Sequence, residues 1–159
     1  MSDKIVSLEN FEEEYLEQLL DFQLPDDQIK FSALPGELLN TSKGQYKIVI
    51  TYENNAAGFF LLNSTRRVKD YSENPKAMLL TALTIDSQYQ GKGIAKYGML
   101  SLPKFVKENF PLCNEIILVV NCENIPAQSL YKKTGFNDSN KRFYGPLGKQ
   151  VLMSLPIKA

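Results

Sequence analysis

The sequence predicts an α/β (α+β) protein built on a mixed sheet with helices on both faces. Three observations predict this class. Apolar runs at residues 77–86 and 116–120 indicate buried strands, and a helical pattern follows each of them. Residues 46–52 and 56–62 are rich in branched and aromatic side chains, and the short polar segment between them is typical of a hairpin turn. The chain closes with a second predicted hairpin.

The N-terminal part is predicted to contain a short strand and two helices. The strand covers residues 5–8, and the first helix follows Asn10, a suitable cap, with apolar side chains along one face. Pro25 and the acidic residues after it suit the first turn of a second helix, which Pro35-Gly36 interrupts. The loop between the two helices is residues 22–25.

The central and C-terminal parts are predicted to hold two further helices. Residues 63–76 form a polar loop with a possible helical turn, and its basic cluster of Arg66, Arg67 and Lys69 is a candidate for ligand contact. Residues 93–108 predict a helix bent at Pro103, and residues 125–134 predict another. Asn124 caps this last helix and Gly135 closes it.

Composition limits the classes of partner and of cofactor. The 159 residues are about the size of one domain, so a single domain over residues 1–159 is expected. Basic and acidic residues balance at 18 each, which predicts neither a nucleic-acid nor a membrane partner. With no histidine and only Cys113 and Cys122, no metal site is expected. The N-terminus lacks an apolar signal, and we expect a soluble cytoplasmic protein.

The segment Gln90-Gly91-Lys92-Gly93 directly follows the central apolar strand and opens a helix. Such a turn can hold phosphate oxygens on its amides. A dinucleotide fingerprint would require glycine or alanine at position 96, where the chain has Lys96. A nucleotide-triphosphate loop would require a lysine and a hydroxyl residue after its second glycine, and Gly98 is followed by Met99. Neither nucleotide class fits.

The remaining pattern, Gln-x-x-Gly-x-Ala after an apolar strand, resembles the acyl-CoA signature of the GCN5-related N-acetyltransferase (GNAT) superfamily. The order of elements is also similar, and so is the later run Asn121-Cys122-Glu123-Asn124 with Ala127-x-x-Leu-Tyr-x-x-x-Gly-Phe. The resemblance implies a single-domain, mostly antiparallel sheet with a splayed central strand pair. It also implies acetyl-CoA as the co-substrate.

The resemblance assigns cofactor-binding roles to three places. The glycine-rich turn would hold the pyrophosphate, the main chain of the central strand would pair with the pantetheine arm, and Asn124 would contact pantetheine. As a helix cap, Asn124 has an equally good structural explanation. The implied residues are Leu83, Ile85, Gln90, Gly91, Lys92, Gly93, Ile94, Ala95, Lys96 and Asn124.

The resemblance also implies that Tyr131 protonates the departing CoA thiolate, although an aromatic core residue is the alternative. The general base stays open. Many relatives use a glutamate on the central strand, but residues 77–85 contain no acid. Asp86, Glu123, a chain of waters, or an acceptor that is already partly neutral remain as explanations.

The implied function is transfer of an acetyl group to a primary amine by direct attack in a ternary complex. The acceptor, a small molecule or a peptide, would meet the loop that begins at residues 22–25 and the hairpin at residues 143–148. The alternative is a non-catalytic acyl-CoA-binding or sensor module of the same fold. A homodimer is plausible.

Overall fold

The computed structural model describes residues 5–26 and 33–158. Within them, seven strands form a single sheet. They are β1 (Val6–Asn10), β2 (Gln45–Tyr52), β3 (Asn55–Asn63), β4 (Ala77–Ile85), β5 (Glu115–Asn121), β6 (Asn137–Gly145) and β7 (Gly148–Pro156). The spatial order is β1-β2-β3-β4-β5-β7-β6, and only the β4–β5 pair is parallel. The predicted mixed, mostly antiparallel sheet is confirmed.

Four α-helices in the described residues cover both faces of this sheet. They are α1 (Leu16–Leu20), α2 (Ile94–Leu100), α3 (Leu102–Asn109) and α4 (Ile125–Lys133). The buried side chains of α2 to α4 join the large core on one face, whereas Leu19 of α1 packs with Phe59 on the other. None of the described helices is long and apolar enough to cross a membrane.

Two N-terminal expectations differ from the structure. Asn10 is not a helix cap, because it pairs with Ile48 at the end of β1 and its side-chain amide donates to Asn109 Oδ1 at 3.0 Å. A 3₁₀ turn, Glu13–Tyr15, therefore precedes the short α1. The predicted second helix falls largely on residues 27–32, outside the described residues, and Pro35–Glu37 forms a 3₁₀ turn.

The predicted bend at Pro103 is a complete break between two helices. Helix α2 ends at Leu100, and α3 begins at Leu102 with Pro103 in its first turn. Proline lacks the N–H that would continue the preceding helix, but it suits the first turn of a new one. The Ser101 hydroxyl donates to the Tyr97 carbonyl at 2.9 Å and occupies the junction.

Strands β4 and β5 are paired at their beginnings only. Residues 77–79 pair with residues 115–117, and no pairing continues from there to Ile85 and Asn121. A bulge lies in the same part of β4. Phe59 pairs with Thr84, and Leu61 pairs with Thr81. An advance of two residues along β3 is therefore matched by three residues along β4. Ala82, inside the bulge, has a φ of 62°. The implied splayed strand pair is thus present, and a kinked strand forms one side of it.

Candidate functional site

A cavity of about 1020 Å³ opens where β4 and β5 diverge. Its walls are the C-terminal halves of both strands, the turn before α2, one side of α4 and the tip of the β6–β7 hairpin. Because the strands separate within the sheet, the cavity reaches both faces of it. An extended molecule and a second substrate could therefore meet between the strands.

The glycine-rich turn forms one end of the cavity. Gly91 and Gly93 have φ values of 82° and 77°, which favour glycine, and Gly93 is the N-cap of α2. Within the described residues, the backbone N–H groups of residues 91–96 donate to no other group. A Cβ added to Gly93 would lie 3.4 Å from the Tyr97 ring. Several adjacent amides are thus available to an anion.

Most of the predicted turn residues line the cavity. They are Gln90, Gly91, Gly93, Ile94, Ala95 and Lys96. Lys92 is absent from the lining, and its Nζ lies 6.0 Å from the centroid of the Tyr52 ring. The Gln90 side-chain amide donates to the Ile85 carbonyl at 3.0 Å, which ties the turn to the end of β4.

Leu83 and Ile85, the predicted main-chain partners of pantetheine, lie beyond the bulge and line the cavity. Their side chains pack against the large core. One edge of this part of β4 pairs with β3 through Gly58 and Phe59, and the opposite edge faces the gap. This part of β4 therefore borders the cavity along one edge.

Tyr131 lies on α4 and is only 7% exposed, yet it lines the cavity. Its ring packs edge-on against Phe136, with centroids 5.4 Å apart. Burial raises the pKa of the Tyr131 phenol above its usual range. The side chain therefore keeps its proton at neutral pH and is a possible acid. Its catalytic role stays a prediction.

The two acids considered as general base occupy different environments. Asp86 is buried, and its carboxylate accepts from the Gln23 backbone N–H at 3.0 Å and from Gln88 Nε2 at 2.8 Å. Glu123 is exposed and is the one carboxylate among the described residues that line the cavity. Asp86 therefore has a structural role in joining two loops, and only Glu123 has access to the cavity.

Asn124 lines the cavity and also caps α4, as its sequence position predicts. Its Oδ1 accepts from the Ala127 backbone N–H at 3.3 Å. The cap uses the carboxamide oxygen, whereas a ligand could accept a hydrogen bond from the amide nitrogen of the same side chain. Capping and ligand contact are therefore compatible at this residue.

Sequence reasoning missed several lining residues, among them Thr81, Tyr89 and Gln150. Thr81 is a polar residue in an apolar run, and its hydroxyl accepts from Asn63 Nδ2 at 3.0 Å. That polarity was the available signal. The other two residues reach the cavity only through the tertiary fold.

The sequence matches the acetyltransferase (GNAT) family model over residues 7–136. The chain belongs to this family. The uncharacterized N-acetyltransferase YbbJ of Bacillus subtilis (strain 168) is 42% identical over 152 residues, which cover 93% of this chain and 95% of YbbJ. Membership makes the protein an acetyl-CoA-dependent N-acetyltransferase by class.

Solved structures share the GNAT fold at low identity. The aminoglycoside acetyltransferase AAC(6')-Ib in complex with coenzyme A has a TM-score of 0.73 at 17% identity, over 95% of this chain and 94% of that one. The spermidine N-acetyltransferase from Vibrio cholerae, in complex with CoA and spermine, has a TM-score of 0.71 at 16% identity, over 97% and 96%. The available amides of the glycine-rich turn fit the phosphate groups of the co-substrate of this family.

Proposed function

We propose that this GNAT protein moves an acetyl group from acetyl-CoA to a primary amine by direct attack in a ternary complex. The observation that carries the proposal is the cavity between the splayed strands, which joins the glycine-rich turn to the opposite face of the sheet. Both substrates can occupy it together. No covalent enzyme intermediate is then needed.

In this proposal the amides of residues 91–96 bind the pyrophosphate, because they are adjacent donors at the positive end of a helix. The main chain of β4 at Leu83 and Ile85 pairs with the pantetheine arm, and Asn124 contacts the same arm from the start of α4. Acetyl-CoA supplies an acetyl group activated as a thioester. The chain holds that group between its two strands.

Two groups of the protein assist the reaction. A main-chain N–H of β4 donates a hydrogen bond to the carbonyl oxygen of the thioester, on which negative charge develops. Tyr131 donates its proton to the departing sulfur, and solvent returns a proton to the phenol afterwards. The raised pKa of Tyr131 keeps this donor loaded at neutral pH.

Deprotonation of the acceptor falls to solvent at the mouth of the cavity, where Glu123 is exposed. An alkylammonium with a pKa near 10.4 is neutral about once in a thousand at pH 7, a cost of roughly 4 to 5 kcal/mol. An amine with a pKa near 8 costs only about 1.4 kcal/mol. The cost of deprotonation therefore falls as the basicity of the acceptor amine falls.

The test combines calorimetric titration of acetyl-CoA with thiol release across a panel of amines. Tyr131→Phe should reduce turnover about 100-fold or more and leave acetyl-CoA affinity unchanged, since only the proton donor is lost. Tyr46→Phe, at an exposed position on β2, is the matched control. Unchanged turnover in Tyr131→Phe would remove that residue from the mechanism.

The second candidate is a non-catalytic acyl-CoA-binding module. It is favoured by one observation: the carboxylate of Asp86 is engaged by Gln23 and Gln88 and does not line the cavity. Tight acetyl-CoA binding without thiol release for any amine would support this candidate over the transferase.

A further inference from the structure

The two faces of the cavity have different surroundings. On the face of α2 and α4, Leu118 and Val120 of β5 point into the large core beside Tyr131. On the opposite face, Val119 packs with the smaller cluster under the 3₁₀ turn Arg66–Asp70. The glycine-rich turn and Tyr131 belong to the first face. An acceptor would therefore enter from the second.

Arg67 stands at this second face and lines the cavity. Its neighbour Val68 is 6% exposed and packs against Leu79 and Ile117, which fixes the turn to the sheet. The Arg67 side chain is exposed and forms no salt bridge with any described residue. A fixed backbone thus presents an uncommitted guanidinium to the cavity.

The charges around the cavity favour an anionic group over a second cation. Among its described lining residues, the charged ones are Arg67, Lys96 and Glu123. Lys96 lies on α2, on the same side of the cavity as the glycine-rich turn. Arg67 lies on the 3₁₀ turn, on the side where the acceptor would enter. Among the described lining residues, a polyamine would meet the charge of Arg67 and have only the carboxylate of Glu123 to offset it.

Apolar side chains from several elements also line the cavity. They come from the loop after α1, from β5 and from the final hairpin, and they are Leu24, Val119, Pro146 and Leu147. Such a surface suits an apolar substituent on the acceptor rather than a chain of ammonium groups.

We propose that the acceptor is a small amine that also carries a carboxylate or a phosphate, and that Arg67 binds this anionic group. The guanidinium is a planar fork of donors that matches two oxygens of either group. Bound in this way, the acceptor is anchored at one end while its amine reaches the gap between β4 and β5. The inference rests on the proposed transferase function and names its class of acceptor.

Binding to the CoA-loaded protein tests the proposal without turnover. Calorimetry would compare L-leucine with L-leucinamide and O-phosphoethanolamine with ethanolamine, and spermidine would represent polycations. The anionic member of at least one pair should bind about tenfold more tightly, and Arg67→Gln should abolish that preference. Arg66→Gln, at an exposed neighbour outside the lining, should retain it.

The leucine and phosphoethanolamine pairs distinguish the carboxylate from the phosphate. Equal binding of both members in both pairs, tighter binding of spermidine, or a preference that survives in Arg67→Gln would overturn the proposal. So would an Arg67→Gln variant that loses affinity for CoA instead of for the anionic amine, because Arg67 would then serve the co-substrate.

The thiol-release assay separates this inference from the proposed function. Arg67-dependent binding of leucine without acetylation of any amine would support the anion site and refute the transferase. Acetylation of spermidine, with Arg67→Gln as active as the parent protein, would support the transferase and refute the anion site. Unchanged melting temperatures in both arginine variants would verify that the fold is intact.

Discussion

The loops that follow the two parallel strands lead into helices in opposite ways. After β5, Asn121 Oδ1 accepts from the Glu123 N–H at 2.8 Å, and Asn124 Oδ1 accepts from the Ala127 N–H at 3.3 Å. Asparagine side chains thus accept hydrogen bonds from backbone N–H groups just before and within the first turn of α4. After β4, the N-cap of α2 is Gly93, which has no side chain to do so.

The difference separates a structural helix start from one that is ready for a ligand. Glycine in place of a capping side chain costs a helix only a few tenths of a kcal/mol, and it leaves the first amides of α2 without a side-chain acceptor. Two glycines with positive φ also expose the backbone of this turn. An anion that binds here regains the missing hydrogen bonds, whereas the start of α4 has nothing comparable to gain.

The strongest way to break this comparison is to place a carboxylate in the open turn. Gly93→Asp should weaken acetyl-CoA binding about 100-fold or more, because the new charge repels the pyrophosphate and the φ of 77° disfavours a side chain. Calorimetric titration with acetyl-CoA measures the loss.

Two controls separate charge from backbone strain at Gly93. Gly93→Ala keeps the strain without the charge and should lose less affinity than Gly93→Asp. Gly44→Asp, at a φ of 88° and outside the described lining of the cavity, should lower the melting temperature but leave affinity unchanged. Equal affinity of Gly93→Asp and the parent protein would contradict a phosphate site at this turn.

At the capped loop, loss of the cap should lower the stability of the free protein. Asn124→Ala should destabilise the free protein by about 1 kcal/mol, since the Ala127 N–H loses its acceptor. The melting temperature should fall by about 2 to 4 °C. Asn124→Asp, which retains an acceptor beside the positive end of the helix, should melt near the parent value. A stable Asn124→Ala variant would deny the capping role.

Local sequence patterns were enough to predict both of these helix starts. The glycines with positive φ and the asparagine before Pro126 act on their own immediate backbone, so their effects are visible in a short window of sequence. The succession of strands along the chain also followed from the order of apolar runs and turns. These features depend on neighbours that are close along the chain.

The bulge and the charge at the acceptor face could not be predicted in that way. Ala82 adopts a φ of 62°, which alanine does not favour by itself, so the surrounding sheet imposes it. Arg67 reaches the cavity only because the neighbouring Val68 packs on β4 and β5. Both features arise from contacts between segments that are distant in sequence.

Helix α4, which follows the capped loop, also carries the buried phenol of Tyr131. The dependence of stability on pH tests whether the fold buries this group. The pKa of Tyr131 is raised in the folded state, so above about pH 10 the unfolded chain loses this proton first and stability falls. Below pH 10 both states keep the proton and the contribution is constant. Denaturant unfolding of the parent and of Tyr131→Phe between pH 9 and 11 measures the difference.

The parent protein should lose up to about 1.4 kcal/mol more than Tyr131→Phe for each pH unit above 10. Other tyrosines titrate in both proteins, and their effects cancel in the comparison. Parallel pH profiles would mean that the phenol is not held in its neutral form by the fold, which would weaken its assignment as the acid.

The smallest expected effect concerns the lysines of the open turn. Lys96 lines the cavity, whereas Lys92 lies over the Tyr52 ring. Lys96→Gln should weaken acetyl-CoA binding about threefold at low salt and less at high salt, because an exposed charge is readily screened. Lys92→Gln should have a smaller effect still. Titrations at two salt concentrations measure both effects. If Lys96→Gln lost as much affinity as Gly93→Asp, the lysine charge rather than the backbone amides would account for most of the binding.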